Sequence, residues 1–207
     1  MTTVLLIRHG LNDFVDTGKL AGHLPDVHLN DKGKAQAAAL AANLKDMKLK
    51  AVYSSPLDRT METAEPIAEA QGLKIQPKLG LGEVDVGRWQ GRTLKSLQKL
   101  KYWSVIQNTP SLARFPEGES FPEAQARIVL EIEALRQEHS GKKDAIVCVS
   151  HSDMIKLAVA HYLGLPLDLF QKLVVQPASV SILSVGKNHI RLVRLNDTHL
   201  SRPAEPE

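Results

Sequence analysis

"VLLIRHGLND", Val4 to Asp13, is the stretch whose reading decides the fold. Its aliphatic start, extended to "TTVLLIR" at residues 2–8, has the pattern of a short strand buried on both faces, as strands of parallel sheets are. The run ends on an arginine and a histidine side by side, with a glycine directly after. Strong cation and imidazole chemistry at the end of a buried strand asks for a functional explanation.

Working outward, two runs of the same kind follow, "AVYSS" at 51–55 and "DAIVCVS" at 144–150, with a shorter candidate in "KIQ" at 74–76. Between them lie helical patterns. "LNDKGKAQAAALAANLKDMK" (29–48) carries an apolar stripe at Ala37, Leu40, Ala41, Leu44 and Met47, with Asn30 or Asp31 able to cap it. "PLDRTMETAEPIAEAQG" (56–72) reads as a helix with Pro56 at its first position and Pro66 expected to kink or shorten it. Ser120 and Glu123 form a capping box that starts a helix running to about His139, and "SDMIKLAVAHYLG" (152–164) is a helix ending at Gly164. "SVSILSVG" and "HIRLVRL" are expected to form a closing hairpin turning at Gly186, Lys187 and Asn188.

Strands alternating with helices imply an α/β fold, a three-layer α/β/α sandwich on a mainly parallel sheet. A length of 207 residues suits a single domain, here residues 1–199, with a disordered tail at 200–207. The irregular stretch 93–120 is expected to be an insertion over the site.

Composition narrows the function classes. A net charge of +3, with only three Tyr, four Phe and two Trp, gives no concentrated basic surface interleaved with stacking aromatics, which argues against nucleic-acid binding. Cys148 is the single cysteine and sits inside a strand, so it reads as a small buried hydrophobe and not as half of a disulfide or a zinc site. No charged and apolar leader opens the chain and no run is long enough to span a membrane, so a cytoplasmic protein is expected.

In parallel sheets, ligands bind beyond the carboxyl ends of the strands, where the strand order reverses. Those ends carry Arg8, His9 and Gly10 after the first strand, Arg59 one turn into the helix after the second, and His151 after "IVCVS". Singly, each has an ordinary reading: Arg59 pairing with Glu62 or Thr63 along its own helix, His151 capping the next helix, Arg8 on an exposed strand end. Together they describe an anion site, because guanidinium forks match phosphate or carboxylate oxygens and keep their charge.

With "RHG" after the first strand, "SSPLDRTMETA" around Arg59, "LGEVDVGRWQG" with Glu83, "PEGES", and "VSHSD" with His151, the chain resembles the histidine phosphatase superfamily, also called phosphoglycerate mutase-like. The resemblance implies that His9 is the nucleophile, that Arg8, Arg59 and His151 surround the phosphoryl oxygens, and that Glu83 is the proton donor, with Asp85 a competing carboxylate. It implies a metal-independent phosphomonoesterase acting through a phosphohistidine on a small phosphorylated metabolite, with no cofactor; the alternative is a phosphoglycerate mutase dependent on 2,3-bisphosphoglycerate, and a third reading is a binding module without turnover.

The chain departs from the family in "LND" after "RHG", where Glu and then Ser or Thr are common; Asn12 is expected to supply a phosphate hydrogen bond instead. Gln90 stands where a Glu is common. Lys19 and His23, in the loop before the first long helix, are expected to contact substrate. A metal site assembled from His9, His23 and His28 lacks supporting carboxylate or cysteine spacing, and none is expected. The partner is then a small phosphate ester, without nucleic acid or membrane, and the final hairpin offers a sheet edge through which a homodimer could form.

Overall fold

Short apolar strands and amphipathic helices leave one economical arrangement, a sheet with helices on both faces. In a computed structural model describing residues 1–141, 144–186 and 190–202, the elements run β1 (Thr2–Arg8), α1 (Asp13–Asp16), α2 (Asp31–Leu44), β2 (Ala51–Ser54), α3 (Asp58–Ala70), β3 (Ile75–Pro77), α4 (Leu94–Leu97), α5 (Trp103–Asn108), α6 (Phe121–Glu138), β4 (Asp144–Ser150), α7 (Ser152–Leu163), β5 (Val180–Val185) and β6 (Ile190–Asp197). The six strands lie in the order β3-β2-β4-β1-β5-β6. β1, β2, β3 and β4 are mutually parallel, while β5 and β6 join antiparallel at one side.

Alternation along β1 feeds both layers. Val4 and Leu6 pack with Tyr53, Cys148 and the buried stripes of α6 and α7. Leu5 and Ile7 face the other way, against Leu40 and Leu44 of α2 and Ala64 and Ile67 of α3. The thiol of Cys148 is buried in this core, and burial pushes its pKa far up, so it stays protonated. No described helix is long and apolar enough to cross a membrane.

Several boundaries differ from expectation for local reasons. Asn30 caps α2 by accepting from the Gly33 amide at 3.0 Å, and the helix stops at Leu44, leaving Met47 beyond it in a turn. α3 starts at Asp58, not at Pro56, because Ser55 still follows the sheet, its amide donating to the Val149 carbonyl at 2.9 Å. Pro66 does not shorten α3, which continues to Ala70. The capping box of Ser120 and Glu123 forms, and Gly164 closes α7 in the left-handed conformation. The hairpin turn at Lys187 and Asn188 and the tail from 203 lie outside the described residues, while Leu200 packs beside α2 and its carbonyl accepts from Asn43 at 2.9 Å.

A glycine straight after the strand suggests a sharp backbone turn that side chains would forbid. The φ of Gly10 is not left-handed; what the residue permits is the approach of α2, since a β-carbon there would lie 2.7 Å from the Gly33 carbonyl. The contact is reciprocal: a β-carbon on Gly33 would sit 2.0 Å from the carbonyl oxygen of Leu11. Gly33→Ala is therefore expected to cost about 1–3 kcal/mol of stability, the range for overpacking a site that cannot yield. A fall in the urea midpoint with an unchanged slope would show it; an unaltered midpoint would mean that the loop after β1 moves freely.

Candidate active site

Register places the chemistry. β1 pairs with β4 so that Arg8 stands opposite Ser150, and the next residues, His9 and His151, leave the sheet together. The His9 amide donates to the Ser150 carbonyl at 3.0 Å, and the two imidazoles meet edge to face with centroids 5.4 Å apart.

His9 is buried, and its Nδ1 lies 2.8 Å from the Gly10 carbonyl. A carbonyl can only accept, so Nδ1 carries the proton and Nε2 keeps its lone pair. Burial, then the charges of Arg59 and Arg8, hold the pKa of His9 well below its ordinary value, so the ring is neutral at neutral pH.

Arg59 is almost wholly buried. Its Nη2 donates to the Gly22 carbonyl at 2.9 Å and approaches Nδ1 of His151 at 3.2 Å. It makes no pair with Glu62, which bonds His28 and the Leu29 amide instead. Because arginine only donates, Nδ1 of His151 accepts, and its Nε2 donates to the Ser55 hydroxyl at 2.9 Å. Burial and the Arg59 charge keep His151 neutral as well. His151 thus stands behind Arg59 and does not line the cavity.

Arg8 donates through Nη1 to the Val175 carbonyl at 2.8 Å. Asn12 uses Oδ1 to cap α1, accepting from Val15 at 2.9 Å. What remains is informative. Nε of Arg8, Nε and Nη1 of Arg59 and Nδ2 of Asn12 are buried donors without a partner, and all three residues line one cavity with His9. A buried unsatisfied donor costs about 1–3 kcal/mol, so four around one neutral imidazole describe a receptor for an anion rich in acceptor oxygens.

Glu83 lines the same cavity. Its Oε1 accepts from the Val84 amide at 2.9 Å and its Oε2 lies 3.6 Å from Nδ1 of His151. Burial, then the nearby Asp153 charge, raises its pKa above the usual carboxylate value, while Arg59, the Val84 amide and Arg8 oppose the shift. Asp85 turns away and accepts from the Gly87 amide at 2.9 Å.

The cavity measures about 340 Å³. Trp103, Ile106 and Gln107 of α5 line it, as do Asp153, Lys156 and Gln171, with the Lys156 ammonium 3.1 Å from Asp153. Lys19 lines it, but His23 does not. The His23 amide donates to Gln90 Oε1 at 2.6 Å and its Nε2 meets the Glu83 carbonyl at 2.7 Å, so the ring braces the acid loop from behind. Gln90 thereby gains a role that its sequence position alone did not suggest. His28 is exposed; with Asp26 and Asp58 it forms a loose three-ligand group, no member of which lines the cavity.

A family model of the histidine phosphatase superfamily (branch 1) matches residues 4–198. The chain belongs to that superfamily. Among its relatives, it is 30% identical over 201 residues to phosphoserine phosphatase 1 of Hydrogenobacter thermophilus, covering 96% of this chain and 93% of that one. It is also 30% identical to a 2,3-bisphosphoglycerate-dependent phosphoglycerate mutase of Thermoplasma acidophilum, covering 89% and 88%. Phosphoserine phosphatase of Entamoeba histolytica, solved with phosphoserine, superposes with a TM-score of 0.86 at 26% identity over 97% of this chain and 99% of that one. The resemblance read from "RHG" and the four later motifs therefore holds, and this histidine phosphatase has the phosphoglycerate mutase-like fold and the phosphatase class of enzyme activity, with mutases among its relatives.

Ser55, Asp153 and Lys156 were missed by sequence reasoning. Ser55 reads as the end of the strand "AVYSS", and Asp153 within "VSHSD" carries no signal beyond an acidic first turn. Asp153 generates a prediction. Because its charge raises the Glu83 pKa, Asp153→Asn lowers it, and the alkaline limb of the kcat/KM profile, where a protonated acid is lost, is expected to move to lower pH. A limb that stays in place or moves up would separate Asp153 from the acid.

Proposed function

We propose that this histidine phosphatase hydrolyses a small phosphate monoester through a phosphohistidine on His9. The observation that carries the reading is the fixed tautomer of His9, whose Nε2 lone pair shares a cavity with four unpaired donors of Arg8, Arg59 and Asn12. Nε2 attacks phosphorus while the ester P–O bond breaks. The donors stay with the three transferring oxygens throughout, which suits a loose transition state that needs positioning and charge stabilisation.

Glu83, whose protonated form burial and the arriving dianion both favour, gives its proton to the leaving oxygen. The resulting carboxylate then takes a proton from water as that water attacks phosphorus, the P–N bond breaks, and phosphate and neutral His9 are regenerated. His151 fixes Arg59 from behind in this scheme, and Lys19 stands where it can meet the leaving group.

The cavity is larger than a phosphate requires, which supports an organic ester of modest size as the partner. Phosphoserine, the named substrate of two relatives, is the first compound to try. A mutase relative keeps phosphoglycerate mutase as the second reading, though Leu11 replaces the Glu common after "RHG". The open edge of β6, with Val193 exposed, and the single buried thiol support the remaining readings, a homodimer and a cytoplasmic setting.

Brief mixing with phosphate-labelled ester should leave a covalent label that is stable to alkali and lost in acid. His9→Ala should abolish both label and turnover, vanadate should inhibit, and EDTA should not. Full turnover by His9→Ala would remove the mechanism. Primed isomerisation of 3-phosphoglycerate faster than phosphate release would place the mutase first.

A further inference from the structure

Glu83 rides on a loop, yet a proton donor has to be held to a fraction of an ångström. Five consecutive carbonyls, from Leu79 to Glu83, end the loop that delivers it, and one residue of α6 gathers four of them. Arg127 Nη1 donates to the carbonyls of Leu79, Gly80 and Gly82 at 3.3, 3.2 and 2.9 Å, and Nη2 to that of Glu83 itself at 3.0 Å. The fifth carbonyl, of Leu81, accepts from the Ser150 hydroxyl at 2.7 Å.

The same guanidinium binds Glu119 of the "PEGES" segment, Nη2 to Oε1 at 2.6 Å. Glu119 Oε1 in turn accepts from the Asp85 amide at 2.8 Å, and the Asp85 carbonyl accepts from the Glu119 amide at 2.9 Å. The pair therefore grips the chain on both sides of Glu83, at 79–83 through Arg127 and at 85 through Glu119. Gly80 lies so close to α6 that a β-carbon there would sit 2.6 Å from the β-carbon of Glu131.

We propose that Arg127, with Glu119, is the positioning residue for the acid: the Arg127 fork, bound to four loop carbonyls and to Glu119, sets where the Glu83 carboxyl meets the leaving oxygen. Neither residue lines the catalytic cavity. The inference rests on the reading of Glu83 as the proton donor.

Leaving groups separate positioning from general scaffolding. p-Nitrophenolate departs without a proton, whereas an alkoxide needs one, so a misplaced acid penalises alkyl esters alone. The measurement is kcat/KM for p-nitrophenyl phosphate and for glycerol 2-phosphate, in wild type, Glu83→Gln, Arg127→Met, Arg127→Lys and Glu119→Gln. Loss of a general acid is worth about 10²–10⁴-fold, so Arg127→Met is expected to lower the alkyl ester at least about tenfold more than the aryl ester, with Lys partly restoring the ratio. Glu119→Gln carries the same test if Arg127→Met does not fold, since it keeps the arginine while removing its ion pair and weakening the grip at Asp85. Equal losses on both esters in the Arg127 and Glu119 variants, with Glu83→Gln discriminating, would overturn the inference and leave the acid in place. A Glu83→Gln that treats both esters alike would remove the acid, and the inference with it.

Discussion

His9 gives its Nδ1 proton to the carbonyl of Gly10, and that 2.8 Å hydrogen bond decides which nitrogen faces the cavity. The bond depends on the path the backbone takes after β1. The backbone holds that path because α2 presses Gly33 against Gly10 and Leu11, and because the Gly10 amide is tied to the Thr63 hydroxyl of α3 at 2.9 Å. Two helices of one layer thus fix the tautomer of a residue delivered by the central strand. In the proposed mechanism the nucleophilicity of His9 is a packing property: the same histidine on a free strand end would exchange tautomers and gain a proton near neutral pH.

Burying two guanidiniums beside that ring works against folding. Burial lowers the pKa of both Arg8 and Arg59, opposed chiefly by the Glu83 charge. The protein keeps the arginines by anchoring one end of each fork, Nη1 of Arg8 on Val175 and Nη2 of Arg59 on Gly22, and leaving the other atoms for ligand. Anchoring removes rotamer freedom before the ligand arrives, so less ordering remains to be done on binding. His151 extends the same logic, since its neutral Nδ1 can accept from Arg59 only while Ser55 takes the proton on the far nitrogen.

Strand positions, helix types and the convergence of Arg8, His9, Arg59 and His151 were legible in the sequence because each depends on short-range patterns or on where a strand stops, whereas Glu83 was legible only through the resemblance of its loop to the family's. "TTVLLIR" and "DAIVCVS" announce their burial, and the residues that follow them inherit a shared sheet edge. Long-range backbone contacts were not legible. Nothing in "RHG" says that Gly10 makes room for Gly33, and nothing around His23 says that its ring turns to the Glu83 carbonyl and away from the cavity. Asn12 shows the middle case. Its type suggested a donor to phosphate, but only the structure shows Oδ1 spent on capping α1 while Nδ2 stays unpaired.

In the proposed mechanism Glu83 acts in opposite senses within one turnover, and its surroundings suit both. Before transfer, burial and Asp153 favour the proton on the carboxyl, and a phosphate dianion nearby adds to the same side. Once the proton has left with the alcohol, the phosphoryl group is shared between His9 and the two arginines, and a carboxylate within reach of Arg59 and Arg8 is tolerated where an isolated one would not be. The opposing influences on Glu83, burial and Asp153 on one side and the two arginines and the Val84 amide on the other, suit a group that serves in both senses. Asp153 adds to this from the first turn of α7, partly neutralised by Lys156 at 3.1 Å, so any ligand that draws Lys156 away would expose Glu83 to the full Asp153 charge.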